Sequence, residues 1–321
     1  MNAVTVSGNG QNPVLEWAPA PDPQPRPEEV IVNVRAAGVN RADLLQARGA
    51  YPPPPGASGI LGLEMAGVVE GTGERVCGLL PGGGYAEKAA VHRDMLLPLP
   101  DDWTFVQGAA VPEAWLTAFV NLFFEAGLRE EETALIHAGA SGVGTAAIQL
   151  AHEAGAMVLA TAGSFDKVSR CIELGARHAF NYREQDFAAE TLAHTGGKGA
   201  DVILDCVGGS YLAKNIQSLA RFGRLVNIGL LGGAKGELNL GAVLMKRLRI
   251  IGSTLRSRPR QEQIAITKAF RQRYWDKLTS GHFRIVIDRT FPIQEAGQAH
   301  GYVGDNRNIG KVVLVIESST R

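Results

Sequence analysis

The chain has 321 residues with 32 basic and 32 acidic side chains, so its formal net charge is zero. Balanced charge disfavours bulk electrostatic attraction to nucleic acid or membranes, and no apolar run reaches the roughly 18 residues that a transmembrane helix needs. The length predicts two domains. Three scattered cysteines (Cys77, Cys171 and Cys206) and an N-terminus without a signal-peptide pattern predict a cytoplasmic protein.

The chain up to about residue 120 is predicted to be β-rich. Its apolar stretches alternate only in part and are short, as in the strands of a small barrel. A short helix over residues 38–45 is expected to end at a proline-rich loop, and Pro112 suits the first turn of a further helix. Strands are predicted at residues 30–35, 67–70 and 75–78.

Between residues 120 and 255 the pattern changes to alternating strands and helices. Such alternation predicts an α/β domain with a parallel, doubly wound Rossmann sheet. Right-handed crossovers then place the loops that follow the strands at the carboxyl edge, where cofactors bind. The strands are predicted at residues 133–138, 157–161, 178–181, 202–206, 225–228 and 249–253.

From residue 256 the chain returns to mixed structure. The predicted elements are an amphipathic helix at 261–278 and strands at 284–291 and 311–316. We expect this tail to rejoin the first domain. The predicted organisation is a discontinuous catalytic domain, 1–119 and 256–321, around a Rossmann domain of residues 120–255.

A glycine-rich turn follows the first predicted Rossmann strand and opens an alanine-rich helix. Its spacing, G-x-x-G-x-G, is a variant of the dinucleotide-binding fingerprint. Glycines allow the pyrophosphate to approach the backbone, and the helix N-terminus offers unpaired N–H groups. The expected cofactor-binding residues of this turn are Gly139, Ser141, Gly142, Val143 and Gly144.

The tip of the second Rossmann strand predicts NADPH rather than NADH. An NAD-specific site places an acidic residue there to bind the ribose 2′-hydroxyl. Here Ser164 and Lys167 are placed to bind a 2′-phosphate, and Asp166 is expected to point to solvent in the first turn of a helix. Tyr182, after the third strand, is expected beside the 2′-phosphate or the adenine.

The order of barrel, dinucleotide domain and tail resembles the medium-chain dehydrogenases/reductases. Zinc alcohol dehydrogenases of that superfamily carry a cysteine in G-V-C-x-x-D and a histidine in G-H-E. This chain has G-V-N-R-A-D at residues 38–43 and G-L-E at residues 62–64. Asn40 replaces the thiolate and Leu63 replaces the imidazole, so this pair cannot rebuild a tetrahedral zinc site.

Further motifs resemble the zinc-free zeta-crystallin quinone oxidoreductases, and several match one branch, the tumour-suppressor-inducible quinone oxidoreductases. They lie at residues 40–43, 48–51, 112–119, 136–149, 205–211, 255–258 and 308–311. The resemblance covers almost the whole chain. It implies a GroES-like catalytic barrel beside the Rossmann domain, and hydride transfer from NADPH to an electron-poor acceptor such as an ortho-quinone.

The resemblance also implies roles for individual residues. Asn40 and Tyr51 would lie beside the nicotinamide and the acceptor, where each could donate a hydrogen bond to a developing oxyanion. Thr117 and the backbone of residues 253–255 are expected on the nicotinamide side. Asn308 and Lys311 are expected to close the cleft from the tail.

Two other functions stay open. The same hydride geometry could reduce the C=C bond of a 2-enal, 2-enone or enoyl thioester, with Tyr51 as proton donor. A non-enzymatic NADPH-binding, crystallin-like protein would instead bind the cofactor without turnover. A small-molecule quinone or enone is the expected partner in the first two cases.

Three other features have simpler interpretations. His137 lies inside the first Rossmann strand and is expected in the core. The basic residues at 246–249 and 256–260 predict a solvated face rather than a nucleic-acid site. Residues 249–255 predict an edge strand, and we expect a homodimer joined there, because an unpaired edge invites another strand.

Overall fold

A computed structural model describes residues 1–10 and 12–317. Gln11 and residues 318–321, the end of the expected catalytic domain, lie outside the described residues. The chain divides into two compact units, Met1–Leu116 with Arg256–Arg321, and Thr117–Leu255. Among the described residues, none of the helices combines the length and hydropathy that a membrane span requires.

The strands are numbered along the whole chain. They are β1 (Asn2–Asn9), β2 (Asn12–Pro19), β3 (Glu29–Val39), β4 (Glu64–Val69), β5 (Arg75–Leu79), β6 (Lys88–His92), β7 (Leu96–Pro98), β8 (Thr133–Ile136), β9 (Met157–Ala162), β10 (His178–Asn181), β11 (Ala200–Asp205), β12 (Leu219–Asn227), β13 (Arg249–Gly252), β14 (Ile287–Pro292) and β15 (Lys311–Val315).

The α-helices follow the same numbering, and short 3₁₀ and π turns adjoin some of them. They are α1 (Arg41–Ala47), α2 (Phe105–Ala109), α3 (Pro112–Phe119), α4 (Gly142–Glu153), α5 (Phe165–Glu173), α6 (Phe187–His194), α7 (Leu212–Ser218), α8 (Leu240–Lys246), α9 (Arg260–Phe270), α10 (Asp276–Thr279) and α11 (Ala296–Gly304).

The first unit is organised around the long strand β3. The sheet order is β14-β15-β3-β4-β5-β7, and β6 pairs with the first half of β3. Its pairs are antiparallel except β14 with β15. Because β15 comes from the tail and pairs with the last residues of β3, the tail completes this sheet.

The second unit contains a six-stranded sheet of order β10-β9-β8-β11-β12-β13. All of its pairs are parallel. The strand order reverses beside β8, so the loop after β8 lies at the switch point where ligands bind in such sheets. Leu135, Leu159, Ile203 and Leu225 form part of the buried core of this sheet.

The six Rossmann strands expected from the sequence are all present, but one of them begins earlier than expected, and the first unit contains a hairpin that was not expected. The hairpin β1–β2 was not predicted, since its side chains are mostly half-buried or exposed. Strand β12 begins at Leu219 rather than near Leu225. Phe222 has a φ of 64° and is exposed, which interrupts the apolar pattern at the start of this strand.

The expected helix at 261–278 is present but is not a regular α-helix throughout. A π-helical turn, Arg271–Trp275, separates α9 from α10. The turn places Trp275 against Trp103, with ring centroids 5.8 Å apart. Phe270, at the end of α9, packs on Trp115 at 6.4 Å. The tail therefore packs its aromatic residues against the N-terminal segment of the same unit.

Helix α11 is expected to gain stability when an interior glycine becomes alanine. Gly297 and Gly301 are exposed, and an added Cβ would meet no atom within 4 Å. Alanine lowers the entropy of the unfolded chain and favours the helix, so Gly301→Ala should add about 0.5–1 kcal/mol to the free energy of unfolding. Urea denaturation measures this, and Gly281→Ala, with a φ of 79° in the native chain, should be destabilising.

Candidate active site

A buried ion pair lies where β15, β3 and β4 meet in the first unit. Glu64 begins β4 and Lys311 begins β15, and their side chains are 0% and 5% exposed. The Lys311 ammonium contacts Glu64 Oε1 and donates to Asn40 Oδ1 at 2.7 Å and to the Val39 carbonyl at 3.2 Å. Asn40 Nδ2 donates to Glu64 Oε1 at 2.8 Å. The three side chains form a closed network.

This network changes what Asn40 and Lys311 can do. Lys311 was expected to close a cleft from the tail, but pairing of Val312 with Val39 carries it into the interior instead. Asn40 caps α1 in a capping box with Asp43. Its side-chain oxygen faces Lys311 and its amide group faces Glu64, so the neighbouring charges fix the orientation of Asn40.

Asp43 joins the network to two further segments. Its carboxylate accepts from the Asn40 N–H at 2.8 Å, the Gly62 N–H at 3.1 Å and the Tyr85 hydroxyl at 3.2 Å. Burial raises the pKa of Asp43 to about 6, and its N–H donors act in the opposite direction. Tyr85 also contacts His300 Nε2 at 3.3 Å. The hydrogen-bond partners of this carboxyl are neutral, whereas the charges of Lys311 and Glu64 act on it through space.

Glu113 adds another carboxyl beside Glu64. Its backbone N–H, in the first turn of α3, donates to Glu64 Oε2 at 2.9 Å. Burial raises the pKa of Glu113 to about 8, and the negative charge of Glu64 acts in the same direction. Lys311 and Arg256 oppose the shift. Glu113 is therefore protonated at neutral pH.

Stability should depend on pH through Glu113. An acid whose pKa rises from 4.5 to about 8 on folding stabilises the native state only while it is protonated. This contribution is complete below the unfolded pKa and is lost as the pH rises through the folded pKa. Glutamine mimics the neutral acid and does not titrate. The free energy of unfolding of Glu113→Gln, relative to that of the parent, should therefore rise by roughly 3 to 5 kcal/mol between about pH 5 and pH 9.

Chemical denaturation of both proteins across that pH range measures the difference. Asp43, Glu64, Lys311, Arg256 and Tyr51 face Glu113, and they are unchanged in both proteins. A pH-independent difference would mean that Glu113 is ionised in the native state throughout.

Tyr51 lies in the proline loop after α1 and is half-buried. Within the described ranges, its hydroxyl has no hydrogen-bond partner, so it is available to an acceptor oxygen. Its carbonyl accepts from Arg256 at 3.3 Å. Arg256 is 5% exposed, so the prediction of a solvated basic face is wrong at this position. The guanidinium is buried because it bonds three separate segments.

The glycine turn of the second unit lies between β8 and α4. Ala138 adopts a left-handed φ of 50°, and the Gly139 N–H donates to the Thr161 carbonyl at 2.8 Å. Ser141 caps α4, and its Oγ accepts from the Gly144 N–H at 3.0 Å. The N–H groups of Gly142 and Val143, in the first turn, have no intrahelical acceptor and suit a phosphate.

The residues expected around the 2′-phosphate also lie at this edge. Asn181 pairs with Ala162, so Tyr182 follows β10 beside the Gly163–Ser164 segment that follows β9. An added Cβ on Gly163 would lie 2.6 Å from the Tyr182 hydroxyl. Ser164 caps α5, and its Oγ accepts from the Lys167 N–H at 3.4 Å. Asp166 is exposed, as expected.

The other three residues considered from the sequence, Thr117, Asn308 and His137, differ in their burial and hydrogen bonding. Thr117 Oγ1 is buried and has no hydrogen-bond partner among the described residues, which fits a polar group of a bound cofactor. Asn308 Nδ2 donates to the Gly310 carbonyl within its own turn, at 2.7 Å. His137 is 3% exposed and bonds Thr161 and Asn215, which confirms the expected core position.

Sequence reasoning missed the buried carboxylates. Asp43, Glu64 and Asp205 are at most 1% exposed, yet only the zinc-site comparison drew attention to residues near 40 and 64. A charged residue within an apolar run, such as Glu64 between Leu63 and Met65, is the signal that could have found them. Asp205 accepts from the Asn215 and Asn227 amides, each at 3.2 Å, at the edge beside the glycine turn.

A zinc ion does not fit the position that the zinc dehydrogenases use. Leu63 has no donor atom, and Asn40 Oδ1 already accepts from the Lys311 ammonium, whose charge would repel a cation. In residues 1–10 and 12–317, no group of three or more histidine, cysteine or acidic side chains is arranged to hold a metal.

Comparisons with known proteins agree with this architecture. Residues 26–101 match the model of the alcohol dehydrogenase GroES-like domain, and residues 142–271 match that of the zinc-binding dehydrogenases. The chain is 31% identical over 307 residues to the quinone oxidoreductase of Mus musculus, covering 92% of this chain and 91% of that protein. The chain belongs to the quinone oxidoreductase family. The predicted GroES-like and Rossmann folds are thereby confirmed.

Solved structures of the medium-chain dehydrogenase/reductase type are also similar. The quinone oxidoreductase of Thermus thermophilus, solved also with NADPH, is 33% identical, with a TM-score of 0.84, over 98% of this chain and 100% of that one. The CurK enoyl reductase is 29% identical, with a TM-score of 0.85, over 98% and 99%. The expectation of NADPH agrees with the Thermus complex, and both acceptor chemistries occur among the relatives.

Proposed function

We propose that this chain is an NADPH-dependent quinone oxidoreductase that passes hydride to an ortho-quinone-type acceptor without zinc. One observation carries the proposal. The position of the metal in zinc relatives holds a network of Asn40, Glu64 and Lys311 in which each side chain contacts the other two. An acceptor that needs no Lewis acid suits such a site, and a quinone is one, because its reduction restores an aromatic ring.

The cofactor, when bound, supplies the hydride. The N-terminus of α4 would hold its pyrophosphate, and Ser164, Lys167 and Tyr182 would surround its 2′-phosphate and adenine. Thr117 would donate to or accept from the nicotinamide side. These side chains would bind the cofactor and fix its orientation.

Tyr51 is the proposed hydrogen-bond donor to the acceptor oxygen. Its hydroxyl has no partner within the described residues, and burial, followed by the charge of Glu113, raises its pKa. A phenol that stays protonated can donate to an oxyanion as negative charge develops there. Asn40 is proposed to shape the same site, with its amide held by Glu64 and Lys311.

The test is the steady-state oxidation of NADPH and NADH with an ortho-quinone, a para-quinone, a 2-enal and an enoyl thioester. We expect the ortho-quinone with NADPH to give the highest kcat/KM, and Tyr51→Phe to lower it about tenfold to a hundredfold. Equal rates with NADH would remove the roles proposed for Ser164 and Lys167. Binding of NADPH without turnover of any acceptor would favour the non-enzymatic alternative.

Reduction of a C=C bond is the second candidate, favoured by the similarity to the CurK enoyl reductase. It would use Tyr51 as a proton donor to carbon rather than as a hydrogen-bond donor. Fastest turnover of the enal or the thioester would select this function. In that case Tyr51→Phe should slow the enal far more than the quinone, because only the enal needs a proton on carbon.

We also propose a homodimer formed through residues 249–255, in the cytoplasm. Among the described residues, strand β13 lies at the end of the sheet order, where its outer edge can pair with a second copy. Helix α8 precedes β13 in the chain. Its residues Leu240, Leu244 and Met245 are 70–74% exposed, whereas Val243 packs against the core. Light scattering tests the assembly, and a monomer at micromolar concentration would contradict it.

A further inference from the structure

Arg256 joins three segments of the first unit through its guanidinium group. Nε donates to the Pro81 carbonyl at 2.8 Å, one terminal nitrogen donates to Gln46 Oε1 at 2.6 Å, and the other donates to the Tyr51 carbonyl at 3.3 Å. Gln46 lies on α1, Tyr51 in the proline loop and Pro81 in the loop after β5. Arg256 therefore fixes the proline loop relative to its two neighbours.

The same guanidinium lies against the ring of Tyr51. Its central carbon is 5.3 Å from the ring centroid, within the range of a cation–π interaction. Tyr51 is thus held through both its backbone and its ring. The hydroxyl at the far end of the ring takes no part in these contacts.

The acceptors of Arg256 are uncharged oxygens, so its positive charge is not neutralised by a hydrogen-bonded carboxylate. Asp43 and Glu113 interact with it only through space, and Glu113 is protonated at neutral pH. A buried cation without a paired anion is costly. Here its field falls on Tyr51, where it favours negative charge.

We propose that Arg256 is a positioning residue for Tyr51: it holds the ring so that the hydroxyl meets the acceptor oxygen, and its charge stabilises the negative charge that develops there. The inference rests on the proposed function, because it assigns Arg256 to a hydroxyl whose role is itself proposed. A lysine could keep the charge but could not bond three segments from one planar group.

Kinetics of Arg256→Lys and Arg256→Gln test the proposal, alone and combined with Tyr51→Phe. Arg260→Gln is the matched control, since Arg260 pairs with Glu29 at 2.7 Å and is 40% exposed. We expect Arg256→Gln to lower kcat with the ortho-quinone about as much as Tyr51→Phe does, with KM for NADPH unchanged. Arg256→Lys should retain part of the activity. In the Tyr51→Phe background, neither Arg256 change should lower kcat more than about twofold.

If the Arg256 changes lowered kcat as much in the Tyr51→Phe background as they do in the wild type, the proposal would be overturned, because Arg256 would then act on the fold rather than through Tyr51. Unchanged kcat in Arg256→Gln would overturn it as well.

A measurement that does not depend on activity separates this inference from the proposed function. Protein labelled with 3-fluorotyrosine gives a ¹⁹F resonance for Tyr51, which Tyr51→Phe identifies. That resonance should shift in both Arg256→Lys and Arg256→Gln and stay in place in Arg260→Gln. If the wild type reduces no quinone but the resonance shifts, the proposed function fails and the positioning of Tyr51 stands. An unmoved resonance overturns the positioning.

Discussion

Lys311→Met should lower the free energy of unfolding by about 3–5 kcal/mol, since it leaves Glu64 as a buried charge without its cation. Glu64 is fully buried, and the Asn40 amide and the Glu113 N–H are the donors that remain to it. These neutral donors cannot replace an ammonium in direct contact. Urea denaturation, followed by tryptophan fluorescence and circular dichroism, measures the loss.

Two variants make this result specific. Lys268→Met removes an ion pair with Asp94 whose side chains are 61% and 48% exposed, and it should cost less than about 1 kcal/mol. Lys311→Met combined with Glu64→Gln removes both charges and should recover a large part of the loss. A Lys311→Met protein as stable as the parent would mean that the interior charges of the first unit are not coupled as described.

Gly144→Ala should weaken NADPH binding by about two orders of magnitude, or roughly 2.7 kcal/mol. An added Cβ would clash with the Ala138 carbonyl oxygen and lie 2.7 Å from two backbone carbons of Gly139. All these atoms belong to the backbone of the turn, so the turn must open. The opening displaces the first-turn N–H groups of α4, which are the proposed pyrophosphate donors.

Titration of NADPH fluorescence gives the Kd, and circular dichroism shows whether the variant is folded. Gly301→Ala, in the other unit, is the control, because its Cβ would meet no atom within 4 Å and its φ lies outside the left-handed region. A folded Gly144→Ala protein with an unchanged Kd would remove the glycine turn from the proposed cofactor site.

The second unit was predictable because its signals are local. Each strand is a short apolar run, and the spacing of the glycines between Gly139 and Gly144 directly indicates the turn. The hydrophobic pattern did not predict the first residues of β12, because exposed residues and the left-handed Phe222 interrupt it there. The core position of His137 followed from its place inside a strand.

The interior of the first unit was less predictable because its contacts are remote in sequence. Lys311 and Glu64 are 247 residues apart, and nothing local to Lys311 distinguishes it from a surface lysine. Arg256 shows the same limitation: it begins a basic stretch typical of a solvated face, yet its acceptors lie about 175 to 210 residues earlier. Such positions follow only from the pairing of β15 with β3 and from the loops packed beside it.

Ortho-quinone reduction by NADPH, measured after exhaustive dialysis against a metal chelator with and without zinc added back, tests directly whether the site works without a metal. We expect kcat/KM to be unchanged by the chelator and by zinc, and to exceed the value for a 2-enal. Activity that falls with the chelator and returns with zinc would contradict a metal-free site built on Asn40, Glu64 and Lys311.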